Sequence, residues 1–397
     1  SGQARLSYPG NRFPDVFWEE ALMRMMRCPG VTAVALSLAA SAAGAVAPAQ
    51  PLPLEKAARY STSSLAWYDA RLLTVEGKAY ADTENFWERL PARAKGRVTP
   101  AVWNLSKHTA GICVRFATDA TTIAAAWDGA VKLRMDHMAL TGSAGLDLYY
   151  RDGREWKYVA TGRPREAATT QVLVGHGAGR PVPAGWHEYL LYLPLYHPVT
   201  DLKIAVPPQA RLAPAPPRDP SRAAPIVFYG TSITQGGCAS RAGMCHVALL
   251  GRWLNRPVIN LGFSGSGKGE IEMARLVAEL DAAVFVLEPL PNMTTEQVRE
   301  RLPQWITILR QAHPRTPILL VMNPLTAEKG DQNRTLEAVY ADAKKKGVQR
   351  LFLLPSAPQL AGRENGTVDG IHPTDLGFLR MAQCYEPVLR RLLEMKH

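Results

Sequence analysis

The sequence predicts a mixed α/β chain in two parts: an all-β sandwich in the first half and a parallel sheet with helices on both faces in the second. Two observations carry this expectation. From about Ser64 to Val206, short runs rich in Val, Ile, Tyr and Leu recur between turn residues such as Asp119-Ala120-Thr121 and Asp152-Gly153. That is the spacing of an antiparallel sandwich. After a proline-dense stretch the rhythm changes to apolar runs of four or five residues alternating with helical segments, the mark of βα units and a sheet buried on both faces. At 397 residues the chain has room for both, since domains usually span ~100–200 residues.

The elements follow in order. Arg24 and Arg27 precede an uncharged run from Val31 to Val46, with the small residues Ala45-Val46-Ala47 and Ala47-Pro48-Ala49 after it. A basic start, a short apolar core and an A-x-A site predict a secretory signal peptide. Residues 1–49 are therefore assigned to an upstream segment and signal, and the expected location is periplasmic or secreted. The apolar run is shorter than the ~20 residues of a stable membrane span. Residues 64–206 form the expected sandwich, with strands over Ile112–Phe116, Thr122–Trp127, Asp147–Tyr150, Gln171–Val174, His187–Leu193 and Leu202–Val206. Residues 207–224, with Pro207, Pro208, Pro214, Pro216, Pro217 and Pro220, read as a stiff linker. In 225–397 strands are expected over Ile226–Tyr229, Val258–Asn260, Val284–Leu287, Ile318–Met322 and Leu351–Leu354. Helices are expected near His246–Leu254, Glu270–Leu280, Thr295–Gln311, Leu336–Lys346 and Thr374–Met395.

Composition excludes several classes. The chain is 47% hydrophobic and 20% charged, ordinary for a globular protein. Its net charge of +11 is dispersed, and the densest run, Lys344-Lys345-Lys346, fits the solvated end of a helix, so no nucleic-acid partner is expected. Without Cys28 four cysteines remain. Cys238 and Cys245 flank a loop and export permits disulfides, but spacing leaves their pairing open.

Four loops at strand ends are the candidates for chemistry. In Tyr229-Gly230-Thr231-Ser232 a hydroxyl sits in a tight turn after a buried strand; alone this is also ordinary turn chemistry. Asp369-Gly370-Ile371-His372-Pro373-Thr374-Asp375 supplies what a serine nucleophile lacks, a base and a carboxylate to hold the base's other nitrogen. Thr374 or Asp375 can cap the helix that follows. Asn260 to Gly265 and Pro291-Asn292-Met293 follow other strands and can offer a Gly265 amide and the Asn292 side chain to an oxyanion.

Taken together, Gly-Thr-Ser-Ile-Thr, Asn-x-Gly-x-Ser-Gly, Leu-Pro-Asn-Met and Asp-Gly-x-His-Pro resemble, in block order, the SGNH (GDSL-type) hydrolases. The resemblance covers the C-terminal ~170 residues and implies a three-layer α/β/α domain. It also implies Ser232 as nucleophile, Asp369 and His372 as its triad partners, and Ser232, Gly265 and Asn292 as oxyanion donors. Thr231 stands where the name-giving motif has Asp, and Pro291 interrupts the usual block around the Asn. Gly145-Leu146-Asp147-Leu148-Tyr149 resembles the GxDLY signature of an all-β, jelly-roll-like domain that precedes some SGNH hydrolases; Phe86-Trp-Glu-Arg-Leu-Pro and Trp103-Asn-Leu-Ser fit the same module.

The expected activity is hydrolysis of short-acyl carboxylic esters, with O-acetyl groups on carbohydrate as the specific substrate. A broad short-chain aryl or alkyl esterase is the alternative. From another class, an inert carbohydrate-binding protein stays open, with Trp103, Trp156 and Trp186 as candidate exposed platforms and Trp103 and His108 as candidate cleft residues. Neither cofactor nor metal is called for, the partner is a small ester or acetylated glycan, and no oligomeric state follows from the sequence. Gly262 to Gly269 also comes within one residue of a P-loop. Gly269 replaces the metal-binding Ser/Thr, and Glu288 is the sole acidic strand-end candidate.

Overall fold

A computed structural model describes residues 50–59, 63–128, 135–165, 168–325, 330–356, 359 and 363–394. The expected signal peptide and Cys28 lie outside the described residues.

The N-terminal half contains two antiparallel sheets. Its strands are β1 (Ala58–Arg59), β2 (Ala66–Asp69), β3 (Thr74–Glu76), β4 (Cys113–Thr118), β5 (Ile123–Asp128), β6 (Leu146–Asp152), β7 (Glu155–Gly162), β8 (Ala168–Val174), β9 (His187–Tyr192), β10 (Leu202–Val206) and β11 (Leu212–Pro214). One sheet runs β1-β2-β10-β5-β8; the other runs β11-β4-β9-β6-β7, with β3 also on β4. Facing residues such as Tyr68, Ile123, Trp127 and Ile204 from the first sheet, and Phe116, Leu148, Tyr189 and Leu191 from the second, fill the space between them. A short helix, α1 (Pro100–Leu105), opens with Thr99 accepting from the Val102 amide and Pro100 at its first turn.

All six strands expected in this half are present. β7 was not expected, although Trp156 and Tyr158 alternate with exposed Glu155 and Lys157, the period-2 pattern of a half-buried strand. The stretch 207–224 is not a free linker. Leu212 and Ala213 lie between the prolines, are fully buried, and pair with β4 as a sheet strand. Arg218, farther along, pairs with Glu76 of β3.

The C-terminal half is a parallel sheet of β12 (Ile226–Gly230), β13 (Val258–Gly262), β14 (Val284–Glu288), β15 (Ile318–Val321) and β16 (Leu351–Leu354), in the order β13-β12-β14-β15-β16. Between and after them lie α2 (Ser232–Gln235), α3 (His246–Trp253), α4 (Ile271–Val277), α5 (Thr295–Ala312), α6 (Asp331–Lys345) and α7 (Asp375–Glu394). Alternate residues of each strand bury against opposite layers. Ile226, Phe228, Val284 and Val286 pack with Leu250 of α3 and Phe378, Met381 and Tyr385 of α7; Val227, Tyr229, Phe285 and Leu287 pack with α4, α5 and α6. Near-continuous apolar strands of this kind need cover on both sides, which gives the three layers.

The two halves share their cores. Tyr149, Leu190 and Tyr192, on the outer face of the second sandwich sheet, belong to the same apolar cluster as α3; Tyr80, Leu90, Val102 and Trp103 belong to that of α4 and α5. Trp103 is thus a core residue, 7% exposed. Cys238 and Cys245 are buried and unbonded.

Candidate active site

The chain order of the sheet reverses at β12, whose neighbours are β13 on one side and β14 on the other. A crevice forms at the carboxyl ends of strands flanking such a reversal. Gly230, Gly262 and Glu288 are in register there, so three of the four expected loops leave the sheet side by side. At Gly230 a Cβ would meet Thr234 Oγ1 at 2.0 Å and Glu288 Cγ at 2.8 Å, which restricts the position to glycine. Thr231 then caps α2: its hydroxyl accepts from the Ile233 amide at 3.2 Å, and its own amide donates to Thr234 Oγ1 at 3.1 Å. The Thr in place of Asp therefore still closes the turn that presents Ser232.

His372 arrives from the loop before α7. Its Nε2 is 2.9 Å from Ser232 Oγ and its Nδ1 is 2.7 Å from Asp369 Oδ2. The other Asp369 oxygen accepts from the amides of Ile371 at 3.0 Å and His372 at 2.7 Å. Partial burial works to raise the Asp369 pKa, but the His372 amide and ring and the Ile371 amide outweigh it and hold the carboxyl well below the usual carboxylate range. An ionised Asp369 favours the proton on Nδ1, which leaves Nε2 as acceptor for the serine proton. Of the two capping candidates, Thr374 accepts from the Gly377 amide, whereas Asp375 accepts from the Ser240 amide at 2.9 Å and so ties the segment after α2 to the histidine loop.

Among the described residues three groups keep an N–H to spare. Neither the Ser232 amide, at the start of α2, nor the Gly265 amide has a hydrogen-bond partner among the described residues. Gly265 sits at φ 66° in the open, a left-handed conformation that suits glycine. The Asn292 amide nitrogen donates to the Ser266 carbonyl, which joins its turn to the Gly265 loop and leaves its second N–H unspent.

A GDSL-like lipase from Bacteroides ovatus is 32% identical, with 84% of this chain and 99% of that one covered and a TM-score of 0.76. The chain belongs to the GDSL-type (SGNH) hydrolases. Residues 223–390 match the model of the GDSL-like lipase/acylhydrolase family, and residues 65–212 match that of the N-terminus of SGNH-hydrolase-type esterases. The fold is shared with a salicylyl-acyltransferase from a tetracycline biosynthetic pathway (20% identity, 85% and 99% covered, TM-score 0.68). It is also shared with an acetyl xylan esterase from the rumen bacterium Butyrivibrio proteoclasticus (12%, 83% and 99%, 0.55). No curated protein matches the chain. This GDSL-type protein is a carboxylic ester hydrolase.

The P-loop-like run of this hydrolase spends two of its amides inside the chain. The Lys268 amide donates to Glu270 and the Gly269 amide to Tyr229, while Glu288 is buried, bonded to His246 and accepting from Tyr385 at 2.6 Å. Of the tryptophans, Trp156 is half-buried and Trp186 is exposed with Arg211 4.9 Å from its ring. His108 does approach the site, through Gln235: the Gln235 amide meets His108 Nδ1 at 3.1 Å and its carbonyl accepts from the Ser264 amide at 2.9 Å. Sequence reasoning missed Gln235 and His137, and it read Cys238 only as half of an open disulfide pairing. His137 lies with its ring 5.5 Å from that of His372, brought there from the sandwich by the tertiary fold alone.

Burial, with Arg89 and His197 nearby, pulls the His108 pKa down to about 3. Unfolded, the same ring titrates near ~6.5. Between those values the unfolded chain binds the extra proton, so stability is full above ~6.5 and falls as pH drops. Urea unfolding of the parent should lose about 2 kcal/mol more between pH 7.5 and pH 5 than His108→Asn does. Equal losses would mean that His108 is not held neutral by the fold.

Proposed function

We propose that this hydrolase is an exported esterase that removes short acyl groups, acetyl above all, from carbohydrate. The observation that carries the chemistry is the unbroken chain from Ser232 Oγ through His372 to Asp369 at 2.9 and 2.7 Å. In this reading His372 takes the Ser232 proton as Oγ attacks the ester carbonyl. The Ser232 and Gly265 amides and Asn292 receive the developing oxyanion. The protonated imidazole then gives its proton to the leaving sugar alcohol, and water, deprotonated in turn by His372, releases the acid. Neither a cofactor nor a metal enters these steps. Export is supported by the basic-apolar-small pattern of residues 24–49; among the described residues no helix is long and apolar enough to cross a membrane. The carbohydrate assignment is supported by the fold shared with an acetyl xylan esterase.

Acetate release from acetylated xylan, mannan and pectin, measured beside 4-nitrophenyl acetate, tests this reading. We expect the polymers to be deacetylated by the parent and not by Ser232→Ala. Turnover confined to small aryl and alkyl esters would remove the glycan and leave the broad esterase; no turnover of any ester would remove both. Asn292→Ala should lower kcat by about 10²–10³ with little change in KM, the usual cost of one oxyanion donor. A loss below threefold would take Asn292 out of the oxyanion hole.

A further inference from the structure

We propose that His137, Cys238 and His372 form a binding site for a borderline-soft divalent cation, zinc foremost, and that its occupation switches the esterase off. One ligand atom of each residue lies within 4.8 Å of the other two. Zinc with N ligands at ~2.0–2.1 Å and S at ~2.3 Å in a tetrahedron holds its donors roughly 3.5 Å apart, so side-chain rotations that close the gaps by about 1 Å complete three positions and leave the fourth to water. The donor set, two imidazoles and a thiol, is one that zinc favours and that calcium and magnesium do not.

Each donor is placed by a different element. Cys238 ends the Gly236-Gly237-Cys238 turn after α2 and holds φ 72°, a conformation rarely adopted by a residue with a Cβ. It is 7% exposed, and its sulfur has no hydrogen-bond partner among the described residues. His137 comes from the sandwich; Asp136 Oδ1 lies 3.2 Å from its Nδ1, the carboxylate backing that commonly orients a metal-binding histidine and leaves Nε2 for the ion. His372 has both nitrogens in triad contacts. Whichever one coordinates the ion, either the Ser232 or the Asp369 hydrogen bond is lost, and with it the base. On binding, Sγ–H gives its proton to solvent and the thiolate coordinates, which balances the step.

The inhibition rests on the proposed role of His372; the binding does not, and the two are read separately. Cobalt(II) added to the full chain should produce a thiolate-to-cobalt charge-transfer band with about one equivalent bound, and zinc should displace it. Cys238→Ser should give no band, and His137→Ala should need at least about 10–100-fold more cobalt. With 4-nitrophenyl acetate, zinc should inhibit the parent, a chelator should restore turnover, and both variants should turn over normally without zinc and resist it by the same factor. Absence of the band in the parent overturns the site even if the esterase is inactive. A normal band with equal zinc inhibition of parent and variants overturns the switch.

Discussion

Replacing Ser232 with Ala should lower kcat on 4-nitrophenyl acetate by about a millionfold, His372→Ala should do nearly the same, and the double variant should be hardly worse than either. The three side chains form one hydrogen-bonded unit, so removing any link removes the proton path and the losses do not add. Asp369→Asn should be milder, about 10⁴ in kcat, and for a local reason. One Asp369 oxygen is held by the amides of Ile371 and His372. Asparagine keeps its carbonyl on those two donors and turns its NH₂ toward His372 Nδ1. That nitrogen must then be unprotonated, the proton moves to Nε2, and Nε2 can no longer accept from Ser232. The measurement is single-turnover kinetics with far-UV circular dichroism to confirm the fold. Turnover by Ser232→Ala within about tenfold of the parent would remove Ser232 as nucleophile.

The candidate triad was half legible because it is half local. Asp369 and His372 stand three apart, and the Asp side chain accepting the amide two residues on is a turn that a short peptide can form. Ser232 is 140 positions from His372, and only the regular strand-to-helix rhythm of the second half implied that both loops reach one sheet edge. Long apolar strands made that rhythm readable. What joins the halves was not readable. The resemblance marked Asp147 and Tyr149 without saying what they do. Asp147 is fully buried and accepts from Arg241 at 2.9 Å and from the Gly243 amide at 2.8 Å, fixing the segment just beyond Cys238. Partners 94 and 96 positions away leave no trace in periodicity. Likewise Leu212 and Ala213 form a strand among prolines because the edge of β4 is available to them, a tertiary fact that overrides composition.

Arg89→Met should be the most destabilising single change away from the apolar core, by about 3–5 kcal/mol. Arg89 is 0% exposed and faces no carboxylate in the described structure; its guanidinium donates to four backbone carbonyls instead, those of Leu105 and Gly262 at 2.7 Å, Asn260 at 3.1 Å and, through Nε, His108 at 2.7 Å. Burial pulls its pKa down, yet the four dipoles keep the charge tenable. The arrangement follows from topology. β13 is an edge strand, so alternate carbonyls, those of Asn260 and Gly262, point away from β12 and have no strand to meet. Arg89 caps that edge from the sandwich side and stacks 4.8 Å from the Phe263 ring, one residue into the loop that carries Gly265. Methionine keeps the volume and strands all four acceptors, each costing about 1–3 kcal/mol when buried without a donor; relief of the buried charge returns part of that sum. Lysine, with one ammonium, cannot span the four and should fall between. Urea unfolding followed by tryptophan fluorescence checks the series. A midpoint for Arg89→Met unchanged from the parent would show that the carbonyls find other donors. Because the capped strand leads directly to Gly265, kcat of Arg89→Met well below its unfolding transition should also drop by more than the unfolded fraction accounts for, which ties the sandwich to catalysis through a backbone edge.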